Sequence, residues 1–493
     1  MILSAICGMG GIYMNFRHEM PLLSVAERRN SFDEVALGYD EQTAVAEAKR
    51  CLHCKNPLCA GGCPVKIRIP EFIAEVAKGD FAKAYDIIYS SNKLPSVTGR
   101  VCPQEVQCES KCILGIKGEP VAIGNLERFI ADWHDKQNGR NDDLSAAAGC
   151  EKNFDNAIIF NNAEKSANAK IRVAVIGSGP CGLTAAGELA ERGYAVTVFE
   201  ALHKGGGVLS YGIPSFRLPK SIVGSVICGL KSKGVEFVYN AVAGRSFTIE
   251  ELKKWGYRSI IVCSGAGLPR FMGIDGEDLG GVCSANEYLT RINLMDAASA
   301  AAKTPVMRGG KTVVVGGGNV AMDAARAALR LGSKVTVVYR RGEKELPARR
   351  DEYLHAVEEG VEFCFMTNPT NFIGDESGRL TGAVVQKMQA GLPDASGRAS
   401  PVPIKGSEYI IECDQVIMAL GTSPNPLCKK AMDGVFDNRG RIKTDENGRT
   451  SLPGVFAGGD AVSGAATVIL AMGAGKNAAA AADEYLKNLE NNI

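Results

Sequence analysis

The sequence has almost no net charge. Its 493 residues carry 56 Lys and Arg against 55 Asp and Glu, so no field gathers nucleic acid or an anionic membrane surface. No uninterrupted apolar run reaches the length of a membrane-spanning helix. Residues 1–14 are apolar and contain glycine, but they lack a basic leader and a good cleavage site, which argues against a secretory signal. The functional chain is expected to open at Met14, which leaves Cys7 without a role. Without a signal, and at this length, a secreted disulfide scaffold is excluded. The chain is expected to be cytoplasmic, with room for roughly two to four domains.

Cysteine is present in quantity and unevenly placed. Of 16 in the chain, seven fall between Cys51 and Cys112. The scattered ones, among them Cys228, Cys263 and Cys413, lie in apolar runs and read as buried small hydrophobes. The seven are arranged as Cys51-x2-Cys54-x4-Cys59-x3-Cys63-Pro64 and Cys102-Pro103-x4-Cys108-x3-Cys112. Residues 41–50 read as a short helix before the first group, and residues 70–90 carry helical apolar spacing between the groups. Structural zinc sites pair two Cys knuckles into fours, and seven does not divide into fours. The Cys-x3-Cys-Pro ending belongs to ferredoxin-type runs, in which the last Cys of a group ligates the other cluster. The pattern favours two [4Fe–4S] clusters over zinc or reactive thiols. Two such clusters need an eighth ligand from elsewhere: a carboxylate, a His, or the distant Cys150.

Further on, residues 171–176 form a β-branched run that reads as a buried parallel strand. Gly177-x-Gly179-Pro180-x-Gly182 turns it into a helix. The first glycine makes the turn, the second admits a pyrophosphate to the helix N-terminus, and the third lets helix and strand pack closely. A second strand at residues 195–199 ends in Glu200, placed to accept from a ribose diol. The unit repeats as Gly316-x-Gly318-Asn319-x-Ala321, with a strand at residues 334–339. That strand ends in Arg340-Arg341. Guanidinium groups bind a 2′-phosphate bidentately where a carboxylate would repel it, so the second unit is expected to take NADPH. Arg349-Arg350 is a further candidate for phosphate contact, but reads better as a solvated charge run. Three glycines, 205–207, let the backbone approach a planar ligand closely. Residues 260–267 read as the strand and turn by which the chain leaves the first unit. Residues 410–420 read as a further strand with 421–425 as its exit loop. Residues 454–460 read as a short strand opening onto a helix from about Ala465.

Cys51-x-x-Cys54, Gly61-Gly-Cys-Pro64, Gly99-Arg-Val-Cys-Pro103 and Ile123-Gly-Asn-Leu-Glu-Arg-Phe129 resemble the cluster domain of the glutamate synthase (NADPH) small-subunit family. That family is similar to the large subunit of NADH-dependent reduced ferredoxin:NADP oxidoreductase, and its N-terminal part to dihydropyrimidine dehydrogenase. The resemblance runs from about Phe32 to the C-terminus. It implies an α/β protein: a helical two-[4Fe–4S] domain followed by two glutathione-reductase-like, Rossmann-type dinucleotide domains. The expected boundaries are 15–145 for the cluster domain, 146–169 for a polar linker, 170–284 with 446–493 for a discontinuous FAD domain, and 285–445 for the NADPH domain.

The resemblance also implies the ligand sets. Cys51, Cys54, Cys59 and Cys112 would hold one cluster. Cys63, Cys102 and Cys108 would hold the other with Glu127, a residue that otherwise reads as a helix-surface carboxylate. FAD would be met by Gly177, Gly179, Pro180, Gly182, Glu200, Gly206, Gly207, Arg217, Gly459, Asp460 and Thr467, with Asp460 on the ribityl chain. The implied activity is electron transfer between NADPH, FAD and the two clusters, with no obligatory catalytic side chain. Disulfide reductases of this architecture carry a close Cys pair, and neither Cys181 nor Cys263 has such a partner in sequence. The chain is too short to add a glutaminase site. It is therefore expected to serve a redox partner subunit, either a large glutaminase/FMN subunit or a small FAD/[2Fe–2S] subunit, and neither nucleic acid nor a membrane.

Overall fold

The computed structural model describes residues 16–138, 170–299, 301–394 and 397–491. Cys7, Cys150 and the whole of the expected linker, 146–169, lie outside them. Apolar spacing at residues 70–90 produces two helices rather than one, Ile69–Lys78 and Phe81–Tyr89. Gly79 closes the first in the left-handed region at φ 81°, and Asp80 caps the second by accepting from Lys83 N at 3.1 Å. The helix Pro95–Val101 lies against Ile123–Gln137. The two approach so closely that a Cβ at Gly99 would stand 2.7 Å from the Arg128 backbone. Phe72, Ile73, Val76, Ile88, Leu126 and Ile130 fill the core between these helices. Among the described residues no helix is long and apolar enough to cross a membrane.

Two five-stranded parallel sheets follow. The first runs Val455–Ala457, Tyr257–Val262, Arg172–Ile176, Ala195–Phe199, Glu236–Val238. Its outer strand therefore comes from near the end of the chain and pairs with Tyr257–Val262. The second runs Val282–Ser284, Gln415–Met418, Lys311–Val315, Lys334–Tyr339, Glu362–Phe365. Strands buried on both faces need continuous β-branched runs, which both sheets have.

An antiparallel sheet of Thr367–Gly374, Leu380–Pro393 and Ala399–Glu412 projects from the second unit. It corrects the expected single strand at 410–420. Ile410 and Ile411 finish the antiparallel strand opposite Val384 and Ala383. The chain then turns at Asp414, whose carboxylate accepts from Gly310 N at 2.9 Å and Lys311 N at 3.1 Å, before entering the parallel sheet. An apolar run marks strand character but not a change of pairing partner. The two units are bridged where Leu268–Pro269 pairs with Thr422–Ser423. The chain's lead-in packs on both: Val35 N donates to Phe216 O at 3.0 Å, and Arg28 pairs with Glu358 at 2.9 Å.

Candidate functional site

The seven clustered thiols form two groups that cross their order in sequence. Cys51, Cys54, Cys59 and Cys112 line one cavity, walled by Pro70 and Val121. Cys63, Cys102 and Cys108 are buried together next to Glu127, each feeling the carboxylate's charge. Cys59 is thus separated from Cys63, and Cys108 from Cys112. Burial pushes the Cys59 thiol up to about 11, with Cys112 and Cys51 adding to the effect. It likewise raises Cys51, Cys63, Cys102 and Cys108. Thiolates in such a place need a strong cationic centre to hold them. Among the described residues no three His, Cys, Asp or Glu side chains converge as a single metal ion requires. Four thiols around one cavity, and three thiols beside a carboxylate in the other group, suit polynuclear clusters, so the donor set fits iron–sulfur.

Glu127 is not the surface carboxylate that its helical position suggests. It is 6% exposed. Asn92 Nδ2 at 2.8 Å and Thr98 Oγ1 both donate to its Oε1. No Lys or Arg pairs with it among the described residues, and burial pushes its carboxyl up to about 7 despite the two donors. A buried carboxylate without a cation is costly. One beside three thiols has the chemistry of an eighth ligand.

The first dinucleotide loop has the three glycine roles the spacing predicts. Gly177 adopts φ 100°, and a Cβ there would stand 2.4 Å from Cys263 O. A Cβ at Gly182 would stand 1.9 Å from Gly177 O. Gly179 has open space around its Cβ position and caps the helix Pro180–Glu191, where a pyrophosphate would meet free N–H groups. Pro180 sits at the first helical position, where no N–H is needed. Gly206 and Gly207 lie over this loop at φ 109° and 54°, Gly207 within 2.8 Å of Gly179 Cα by its Cβ direction. Glu200 is buried at the end of its strand. It accepts from Ser178 N and Leu202 N, both at 2.9 Å, and from Ser178 Oγ. A ribose diol would share that carboxylate. Gly459 turns at φ 67° into Asp460, whose carboxyl burial pushes up to about 6. Thr467 opens the long helix Val468–Asn491, its carbonyl accepting from Ala471 N at 3.0 Å. Gly182→Val is expected to yield protein without flavin but with its iron–sulfur absorbance intact, read from the absorbance ratio of purified protein. Normal flavin content would overturn this account of the loop.

In the second unit Gly316 turns at φ 143° against Ala419 O, and Gly318 caps the helix Asn319–Arg330 with open space around it. Ala321 is fully buried against the sheet. The two arginines at the strand end are not equivalent. Arg340 is exposed and has no ion pair among the described residues. Arg341 is buried and paired with Asp394 at 2.5 Å.

Residues 28–139 match the family described as dihydropyrimidine dehydrogenase domain II, 4Fe-4S cluster. Residues 171–482 match the pyridine nucleotide-disulphide oxidoreductase family. The glutamate synthase [NADPH] small chain of Halomonas elongata is 35% identical, covering 93% of this chain and 94% of its own. That of Escherichia coli is 34% identical, covering 94% and 96%. The chain belongs to the glutamate synthase small-chain family. It is also 38% identical to the NADP(+)-dependent formate dehydrogenase subunit beta of Moorella thermoacetica, over 87% of this chain, and spans only 60% of that subunit. The solved structure of Mycobacterium tuberculosis FprA in complex with NADPH shares the fold, with a TM-score of 0.55 at 20% identity, over 66% of this chain and 86% of that one.

Within this family fold, several residues have surroundings that the sequence did not announce. Arg217, expected among the flavin contacts, is paired with two carboxylates. Its buried guanidinium is held by Asp323 at 2.7 Å and Glu352 at 3.0 Å, tying the flavin unit to the NADPH unit. Cys181 and Cys263, without a partner close in sequence, meet each other in space with sulfurs 3.1 Å apart. Burial and this contact raise the Cys181 thiol well above its ordinary value, so the pair is poorly suited to thiolate exchange with a dissolved disulfide. Arg349 is not solvated. It reaches into the cluster domain, whereas its neighbour Arg350 stays exposed and pairs with Glu343 at 2.9 Å. Cys228, expected to be buried, is half-buried, while Cys263 and Cys413 are buried. Lys220 gave no signal in the sequence. It is half-buried, donates to the carbonyls of Leu209 at 3.1 Å and of Ile213, and has its pKa lowered by desolvation to about 7.

Proposed function

We propose that this chain is the electron-input subunit of a glutamate synthase-type assembly, moving electrons from NADPH through FAD and two [4Fe–4S] clusters to a partner subunit. One observation carries the reading. The helix Val468–Asn491, which follows the second flavin motif, lies against the loop of the buried thiol group. A Cβ at Gly473 would stand 3.2 Å from Pro64 O, next to Cys63. Lys476 Nζ also donates to Ser91 O at 3.1 Å. The buried group thus adjoins the flavin unit, and the half-exposed group of Cys51, Cys54, Cys59 and Cys112 is left as the exit.

When bound, the flavin and clusters supply the hydride and single-electron chemistry. The chain's residues position it. Arg340 meets the 2′-phosphate, Gly179 and Gly318 admit the two pyrophosphates, and Asp460 orients the ribityl chain. No side-chain acid or base is required, because positioning does the work. Leu52 and Leu58, 59% and 60% exposed, flank the half-exposed thiols and form an apolar patch for the partner.

The test is anaerobic purification of the native complex, with its chains, iron and flavin determined. A large partner with FMN and glutaminase activity is the expected result. A small partner with its own FAD and a [2Fe–2S] cluster would instead assign the chain to a ferredoxin:NADP transhydrogenase. Failure of NADPH to bleach the flavin would sink both.

A further inference from the structure

Arg349 begins in the dinucleotide unit and ends in the cluster domain. Its backbone N donates to Asn319 Oδ1 at 2.9 Å, at the start of the helix that Gly318 caps. Its guanidinium donates to Arg100 O at 3.0 Å and Gln104 Oε1 at 3.3 Å, and stands 3.4 Å from Glu105 Oε1. Asp351 also lies within 3.3 Å. Arg100, Gln104 and Glu105 flank Cys102 on its loop. The guanidinium is near enough to Cys102 for its positive charge to oppose in part the burial and the Glu127 charge that raise that thiol.

The contacts continue inward. Gln104 Nε2 donates to Thr98 O at 3.2 Å, and Thr98 Oγ1 donates to Glu127 Oε1. Gln104 fits there because residue 124 is glycine: a Cβ at Gly124 would stand 2.3 Å from its amide nitrogen. A hydrogen-bonded path therefore runs from Asn319 through Arg349, Gln104 and Thr98 to Glu127. A fixed positive charge beside a cluster favours its reduced, more negative form, and outer hydrogen bonds to ligands tune cluster potentials.

Resting on the cluster assignment above, we infer that Arg349 is a positioning residue with two effects. It raises the reduction potential of the cluster held by Cys63, Cys102, Cys108 and Glu127, and through it a dinucleotide bound at Gly318–Asn319 lowers that potential. The direction follows from charge: anionic phosphates at the helix start oppose the guanidinium's field on its other side. In this way nucleotide occupancy at one site adjusts the electron affinity of the next carrier, a coupling that is reciprocal for binding.

The experiment is an EPR-monitored redox titration of the anaerobic holoprotein. Wild type, Arg349→Gln and Arg349→Lys are titrated with and without 2′-phospho-ADP-ribose, which has the phosphates of NADP and no nicotinamide to reduce. In Arg349→Gln the buried cluster should shift to lower potential, while the half-exposed cluster keeps its own. Arg349→Lys should retain most of the potential but lose the ligand-induced shift, because an ammonium cannot reproduce the planar fork. Equal shifts in both clusters, or none, would overturn the inference and leave the cluster reading standing. Should Arg349→Gln fail to hold the cluster, Arg349→Lys decides, and an unchanged ligand response there overturns the inference. A wild-type protein with only one cluster would sink the assignment and the inference together.

Discussion

Cys108→Ser and Cys112→Ser are expected to remove different clusters, although both thiols lie on one short loop. Cys112 lines the cavity with Cys51, Cys54 and Cys59, and Cys108 is buried beside Cys63, Cys102 and Glu127. The turn between them, Glu109–Lys111, is a short 3-10 helix closed by Cys112 N donating to Glu109 O at 2.9 Å. It is also anchored. The Glu109 side chain is buried, pairs with Arg17 at 2.7 Å and accepts from Gly124 N at 3.1 Å. A rigid turn keeps the two thiols assigned to separate groups. Each variant should therefore lose about half the iron and one of two EPR signals in the reduced protein, each a different one. Glu127→Ala should alter the same signal as Cys108→Ser and spare the one lost in Cys112→Ser. If both serine variants lose the same signal, the crossed assignment fails.

Local chemistry was the legible part of this chain. The glycine fingerprints could be read because the strand–turn–helix itself calls for them: Gly177 and Gly316 take positive φ, and Gly179 and Gly318 stand at the helix starts. Gly182 meets Gly177, and Gly316 meets the next strand of its own sheet. The strands Ala195–Phe199 and Lys334–Tyr339 sit where their apolar runs put them. What escaped depends on partners far away in sequence. Glu127 is buried because the helix carrying it is approached at Gly99, a contact that helical periodicity does not encode. Arg217 meets Asp323 and Glu352 across two units, and Cys181 meets Cys263 only because adjacent strand ends bring them together. A charged residue in an apolar motif was read as ligand-facing when its partner was another part of the same protein. Removing such a partner would leave an uncompensated buried charge.

Arg340→Ala should raise the KM for NADPH about 10- to 100-fold and leave that for NADH nearly unchanged. The magnitude follows from losing charge-assisted hydrogen bonds worth about 1.5–3 kcal/mol. Arg340 is the free guanidinium at the end of Lys334–Tyr339, where a strand of this kind presents its last residue to the adenosine ribose. Arg341 should matter less. Its charge is already engaged by Asp394, so a 2′-phosphate gains from it only by competing with a carboxylate at 2.5 Å. Asp394→Asn should therefore tighten NADPH binding where Arg340→Ala weakens it, and the gain should vanish when Arg341 is replaced as well. The readout is the ratio of kcat/KM for NADPH to that for NADH across the four proteins. An unchanged ratio in Arg340→Ala would remove the basis for calling this the phosphate-selecting site. A large loss in Arg341→Ala with none in Arg340→Ala would mean that Asp394 yields Arg341 on binding and that the exposed arginine is a bystander.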